Sequence, residues 1–106
     1  MEDPGRRATV LVVDDNAAIR LLLGELLEAD YRVLTAETGE GALAVLQRDR
    51  PDIILLDVML PDGTGFDVCS RIKADAALRD IPVIFLTTLD DVQEQARGLA
   101  LGAVDY

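Results

Sequence analysis

The stretch PDIILLDVMLPDGTGFD, residues 51–67, decides how the rest of the chain is read. An apolar run long enough to be a buried strand, DIILL at 52–56, ends on a bare carboxylate, Asp57, and then breaks into Pro61, Asp62 and Gly63. A carboxylate in that place is costly unless a cation, hydrogen bonds or a function that uses it offsets the desolvation.

Working outward, short β-rich runs alternate with helical patterns. TVLVV (9–13) and DIILL are continuous apolar runs, suited to strands covered on both faces; YRVLTA (31–36) and PVIFLT (82–87) read as two more strands. Between them, Ile19, Leu22, Leu23, Leu26 and Leu27 recur at helical spacing, as do Ala42, Leu43 and Leu46, then Phe66, Cys69 and Ile72, and finally Val92, Ala96 and Leu99. Asn16 is suited to cap the first helix. Asp90 with Gln93 resembles a capping box for the fourth, which Gly102 closes. Pro51 and Pro82 fall at strand starts, where a missing donor is tolerated. Strand and helix in alternation predict an α/β fold, a doubly wound parallel sheet with helices on both faces.

Such sheets place their working site at the carboxyl ends of the strands, beside the point where strand order reverses. The first strand ends in Asp14 and Asp15, the third in Asp57, and the fourth in Thr87 and Thr88. Three neighbouring carboxylates raise one another's pKa unless a cation sits among them. An oxygen-only cluster without His or Cys favours Mg²⁺ over zinc or copper. With such an ion in place, Asp57 is positioned as an in-line nucleophile toward a phosphoryl group, and the strand-four hydroxyls and backbone amides hold the remaining oxygens.

Bulk properties fit this reading. A chain of 106 residues, half of them hydrophobic, has room for one domain and one modest core. A net charge of −10 disfavours direct contact with nucleic acid or an anionic membrane, and favours a basic partner surface or a metal cation. The absence of histidine excludes His-ligated zinc and a His-based triad within this chain. A single cysteine, Cys69, permits no intrachain disulfide, packs as a small core hydrophobe, and points to a reducing cytoplasm. No apolar stretch reaches the length of a membrane span.

Taken together, VLVVDDN, PDIILLDVMLPDGTGFD, PVIFLTT and GAVDY resemble the receiver domain of bacterial two-component response regulators, over almost the whole chain. The resemblance implies the flavodoxin-like strand order 2-1-3-4-5 and a receiver domain spanning 1–106. It implies that Asp57 accepts a phosphoryl group from a histidine kinase or phosphotransfer protein, and that the resulting change of conformation controls an output domain or downstream protein. Asp15, Asp57 and the backbone carbonyl of Met59 would bind Mg²⁺ directly, with Asp14 acting through water. Thr87 would be the switch residue that turns toward the phosphoryl group, and Tyr106 the aromatic that follows it. Pro61, Asp62, Gly63 and Gly65 match the loop after the acceptor strand; taken alone, Asp62 and Gly63 read as a simple turn. Met59 and Leu89 stand where the family tunes hydrolysis of the acyl phosphate; both are apolar, which implies a long-lived phosphoryl state. The resemblance describes a switch that phosphorylates and slowly dephosphorylates itself, not an enzyme acting on a released substrate.

One departure stands out. The family carries a Lys-Pro pair shortly after GAxDY, with a fifth strand and helix around it, whereas this chain ends at Tyr106 and its one lysine, Lys73, lies on the third helix. An N-terminal fragment of a longer protein, truncated before the fifth strand and helix, is therefore expected.

Two rivals remain. A haloacid dehalogenase-type aspartyl-phosphate hydrolase would use a DxDGT motif, but Asp57 and Asp62 stand five apart where that motif needs two. A degenerate receiver would bind partners without phosphate. Gly39, Gly41 and Ala44 also spell GxGxxA, but after the second strand, not the first, where a dinucleotide fingerprint belongs.

Overall fold

The apolar runs become strands, and each of the three described helices has its first turn capped by a polar side chain. The computed structural model describes residues 7–86. Within them run β1 (Ala8–Val13), α1 (Ala17–Leu27), β2 (Tyr31–Ala36), α2 (Gly39–Arg48), β3 (Ile53–Asp57), β4 (Met59–Leu60), β5 (Gly63–Thr64), α3 (Gly65–Ala74) and β6 (Val83–Leu86). The fourth helix expected around Val92, Ala96 and Leu99 lies outside the described residues.

Four strands form one parallel sheet in the order β2-β1-β3-β6, and β4 with β5 makes a separate antiparallel hairpin. The four principal strands thus follow the 2-1-3-4 part of the expected flavodoxin-like order. Strand order reverses at β1, which pairs with β2 on one side and β3 on the other, so the crevice for a ligand opens beyond Val13 and Leu56, which stand side by side in register. Asp57 is the last residue of β3 and sits opposite Leu86.

Val10 to Val13 are all buried, as the unbroken apolar run requires for a strand covered on both faces. The larger core lies on one side of the sheet. Leu11, Val13, Ile54, Leu56, Val83 and Phe85 meet Val45 and Leu46 from α2 and Phe66, Cys69 and Ile72 from α3. Phe66 and Phe85 pack edge to face with centroids 4.9 Å apart, fixing α3 against β6. Burying each such side chain stabilises the fold by about 1.5–3 kcal/mol.

On the other side, α1 departs from expectation. Ile19, Leu23 and Leu27, spaced by four, form the half-buried row, whereas Leu22 and Leu26 are 51% and 65% exposed. One hundred degrees of rotation per residue carries Leu22 and Leu26 off the row that faces the sheet. An apolar stripe five residues rich is therefore wider than the contact α1 makes among the described residues.

The caps explain where the helices begin. Asn16 Oδ1 accepts from the amides of Ala18 (2.9 Å) and Ile19 (3.2 Å), as expected. Thr38 Oγ1 accepts from Gly41 N (2.9 Å) and Thr64 Oγ1 from Asp67 N (3.2 Å). At the opposite edge of the sheet, Asp52 ties the starts of β1 and β3: its Oδ2 accepts from Thr9 N and its amide donates to Thr9 O (2.6 and 2.8 Å). Lys73, the lone lysine, donates to the carbonyls of Arg79 and Ile81 at 3.1 Å each, and so serves the loop after α3.

Two glycines show how the same residue type serves opposite ends. A Cβ on Gly65 would lie 2.2 Å from the backbone oxygen of Asp57, and Gly65 N already donates to Val58 O at 2.7 Å. Nothing lies within 4 Å of a Cβ built on Gly24, in the middle of α1. In urea titrations Gly65→Ala is expected to lose roughly 1–3 kcal/mol, because backbone must move to admit the methyl. Gly24→Ala is expected to gain about 0.5–1 kcal/mol from reduced helix entropy cost.

Candidate functional site

The acidic residues assemble because β1 and β3 are neighbours and end at the same level. Asp14 extends β1 by one more rung, its amide donating to Ala36 O at 3.1 Å. Its side chain is only 6% exposed, and Oδ1 accepts from Asn16 N at 2.9 Å. Asp15 follows and is exposed, while Asp57, across the β1–β3 pairing, is half-buried. One carboxylate oxygen from each of the three lies within 4.8 Å of the others.

That proximity has an electrostatic consequence. The pKa of Asp57 is raised from its ordinary 3.8 to about 6, chiefly because burial penalises the charged form, and further by the charges of Asp14 and Asp15. The amide of Met59, donating to Asp57 Oδ1 at 3.2 Å, acts in the opposite direction and fixes the rotation of the carboxylate. A cluster of hard oxygen donors whose central member resists ionisation fits a small divalent cation, which would relieve the repulsion. Asp14, Asp15 and Asp57 are the residues placed to hold one.

Arg20 was not singled out by sequence, and it braces the pocket from below. Its Nη1 donates to the backbone oxygen of Asp14 (2.7 Å) and its Nη2 pairs with Glu37 Oε1 (3.0 Å), with the guanidinium side chain 16% exposed. One planar cation thus ties α1, the end of β1 and the segment after β2. Its spacing from Asp14, six residues, matches no local motif, so only the fold reveals the pairing.

Asp62 is the second residue whose role the sequence understated. Its carboxylate does not join the acidic pocket; it accepts from Gly39 N (2.9 Å) and Glu40 N (3.0 Å) at the start of α2. A dehalogenase-type site needs both acids of its motif beside the reacting phosphorus, and here Asp62 is turned to the helix instead. Of the GxGxxA glycines, Gly39 gives its amide to that carboxylate and Gly41 gives its own to Thr38 Oγ1, so the amides a phosphate would need are occupied. Cys69 is fully buried in the core, and burial pushes its thiol up from the ordinary range, in keeping with an inert packing role. Met59 projects a 61% exposed side chain beside the pocket. Thr87 and Thr88, which follow Leu86 in the chain, and Tyr106 lie outside the described residues.

The comparisons with known proteins point the same way. The family model described as the response regulator receiver domain matches residues 10–106. The chain is 49% identical over 100 residues to the response regulator PleD of Caulobacter vibrioides, covering 93% of this chain and 22% of PleD. It therefore spans about a fifth of that relative's length. Among solved structures, the chemotaxis response regulator CheY4 of Vibrio cholerae superposes with a TM-score of 0.87 at 36% identity, over 94% of this chain and 84% of that one. The phosphorylated cyanobacterial phytochrome response regulator RcpA superposes at 0.88 with 32% identity, over 95% and 79%. A parallel sheet with this order, an acidic trio where β1 and β3 end, and a family match over nearly all of its length establish that the chain belongs to the response regulator receiver domain family.

Proposed function

We propose that this receiver domain accepts a phosphoryl group on Asp57 in a Mg²⁺-dependent reaction. The observation that carries the reading is the convergence of Asp14, Asp15 and Asp57 within 4.8 Å at the switch point of the sheet. Asp15, Asp57 and the backbone carbonyl of Met59 would hold the ion, with Asp14 supporting it through water. When bound, Mg²⁺ would offset the carboxylate charges and polarise the phosphoryl oxygens. Ionised Asp57, its rotation set by the Met59 amide, then attacks the phosphorus of a phosphohistidine. The new bond is Asp57 Oδ–P; the histidine N–P bond breaks, and the imidazole leaves with the electron pair and takes up a proton. On this reading the hydroxyls of Thr87 and Thr88 would receive the phosphoryl oxygens, and Thr87 turning inward with Tyr106 following would pass the change to a partner surface.

The donor is a histidine kinase or phosphotransfer protein, and the reader is an output domain or downstream protein. The similarity to RcpA, whose structure is of a phosphorylated regulator, supports this reading. The chain works as a switch whose phosphorylated state is the message, with only slow self-dephosphorylation, and is not an enzyme that releases a product. A charge of −10 makes a basic protein surface a better partner than nucleic acid. No helix among the described residues is long and apolar enough to cross a membrane, and a cytoplasmic setting goes with the kinase partnership proposed here.

Incubating the full chain with acetyl phosphate and Mg²⁺ should add one hydroxylamine-labile phosphoryl group, detected by mass spectrometry. Asp57→Asn or removal of Mg²⁺ by chelation should abolish it; labelling that persists in Asp57→Asn would overturn the assignment. Asp14→Asn should weaken Mg²⁺ binding by roughly 10- to 100-fold, as removing outer ligands does. With apolar Met59 and Leu89 unable to orient water, the labelled form should persist well beyond seconds; decay within seconds contradicts that.

The raised pKa of Asp57 also sets a pH dependence. The folded metal-free chain retains the Asp57 proton up to about pH 6, whereas the unfolded chain releases it near 3.8. The stability contributed is therefore fully present below 3.8 and lost as pH rises through about 6. Thermal melts without metal should show Asp57→Asn gaining on the wild type across that window, with Mg²⁺ closing the gap above it.

A further inference from the structure

The segment after Asp57 is a hairpin with few bonds of its own. Met59 stands opposite Thr64 and Leu60 opposite Gly63, leaving Pro61 and Asp62 at the tip. Gly63 takes a φ of 151°, a conformation that suits glycine. Two paired positions make a marginal structure in water; Leu60 anchors the hairpin in the core, and the tip depends on the bonds that Asp62 makes.

The tip is held by α2. Asp62 Oδ1 accepts from Gly39 N and Oδ2 from Glu40 N, so one carboxylate occupies two of the four amides that open the helix. These charge-assisted bonds at the positive end of a helix hold the carboxyl below its ordinary range, the Glu40 amide contributing most. Gly39 permits the approach: a Cβ there would lie 2.9 Å from Val68 Cγ2 and 3.4 Å from Asp62 Oδ1. On the outside of the same seam, Arg71 pairs with Glu40 at 3.2 Å, both side chains exposed.

We propose that Asp62 is a positioning residue for the chemistry at Asp57: by clamping the hairpin tip to the first amides of α2, it fixes the Met59 peptide at the hairpin's base against the acceptor carboxylate. This rests on the reading of the acidic trio as a Mg²⁺ site. Met59 is the link, because its amide bonds Asp57 Oδ1 and its carbonyl is the assigned ligand. A tip released from α2 lets that peptide shift relative to the two strand ends that carry the other donors.

The test compares the full wild-type chain with Asp62→Ala, Asp62→Asn and Arg71→Ala, the last opening the seam's exposed ion pair while leaving the clamp. Amide hydrogen exchange by NMR reports the Met59 peptide directly, and calorimetric titration with MgCl₂ reports the ion site. Asp62→Ala should accelerate exchange at Gly39, Glu40 and Met59 and weaken Mg²⁺ binding by about tenfold, the low end for loss of an indirect support. Asp62→Asn, which keeps one acceptor oxygen, should fall between and serves where the alanine variant does not fold. Arg71→Ala should leave both readouts unchanged. Faster exchange confined to Gly39 and Glu40, with Met59 and Mg²⁺ affinity unmoved, would make Asp62 a helix cap alone and overturn the proposal, as would an equal effect of Arg71→Ala. A wild-type chain that takes no Mg²⁺ overturns the reading of the trio and this inference with it; Mg²⁺ bound equally by wild type and Asp62→Ala overturns this inference only.

Discussion

Mutual repulsion among Asp14, Asp15 and Asp57 is the constraint around which the described structure is arranged. Two adjacent parallel strands, each ending on acid, bring the carboxylate oxygens within 4.8 Å, and one of the acids is almost wholly buried. Within the site, the amides of Asn16 and Met59 offset only part of the cost of that arrangement. It is held by the sheet: Val13 and Leu56 stand side by side in a core that gains far more from burial than the acids lose. Asp57 bears part of that cost: its pKa is raised chiefly by burial and further by the charges of Asp14 and Asp15, and a site of this kind is one that a cation relieves.

Rigid backbone contacts carry the geometry outward from that point. Gly65 abuts the Asp57 carbonyl so closely that no side chain fits, which seats the start of α3 against the end of β3. Phe66, the next residue, enters the core and meets Phe85 on β6, the strand that borders Asp57 on its other side. Asp57 is therefore flanked by elements whose relative placement is set by packing, and the Met59 amide sets the rotation of its carboxylate.

How far the sequence reveals this depends on the range of the interaction. The strands were legible because burial on both faces leaves an unbroken apolar run, as in Val10 to Val13, and Asn16 was legible because a cap acts on amides two and three residues away. The acidic trio was legible too, since the rule for parallel sheets converts strand ends into a shared edge. By contrast, Leu22 and Leu26 have the spacing of core residues yet are exposed, because helical periodicity gives a stripe and not its width against a neighbour. Arg20 reaching the carbonyl of Asp14, and Asp62 reaching an amide 23 residues away, have no signature in spacing at all. Asp62 in particular sits in a PDG sequence common to turns of many kinds, and its partner is backbone, which leaves no mark on residue type.

Those two unforeseen contacts share a physical form: a charged side chain bonds the main chain of a different element at the edge where the acids lie. A surface ion pair such as Arg71 with Glu40 is screened and its long side chains are mobile, so it contributes little to placement. A carboxylate on two successive amides, or a guanidinium on a carbonyl, grips groups that cannot rotate away. Arg20 fixes the backbone behind Asp14 and Asp62 fixes the hairpin ahead of Asp57, so the two sides of the pocket are braced independently. An acidic pocket cannot be braced by packing alone, because apolar walls would deepen the desolvation that already burdens Asp57. Holding it through backbone contacts one step removed keeps the carboxylates open to a cation while limiting where they can go.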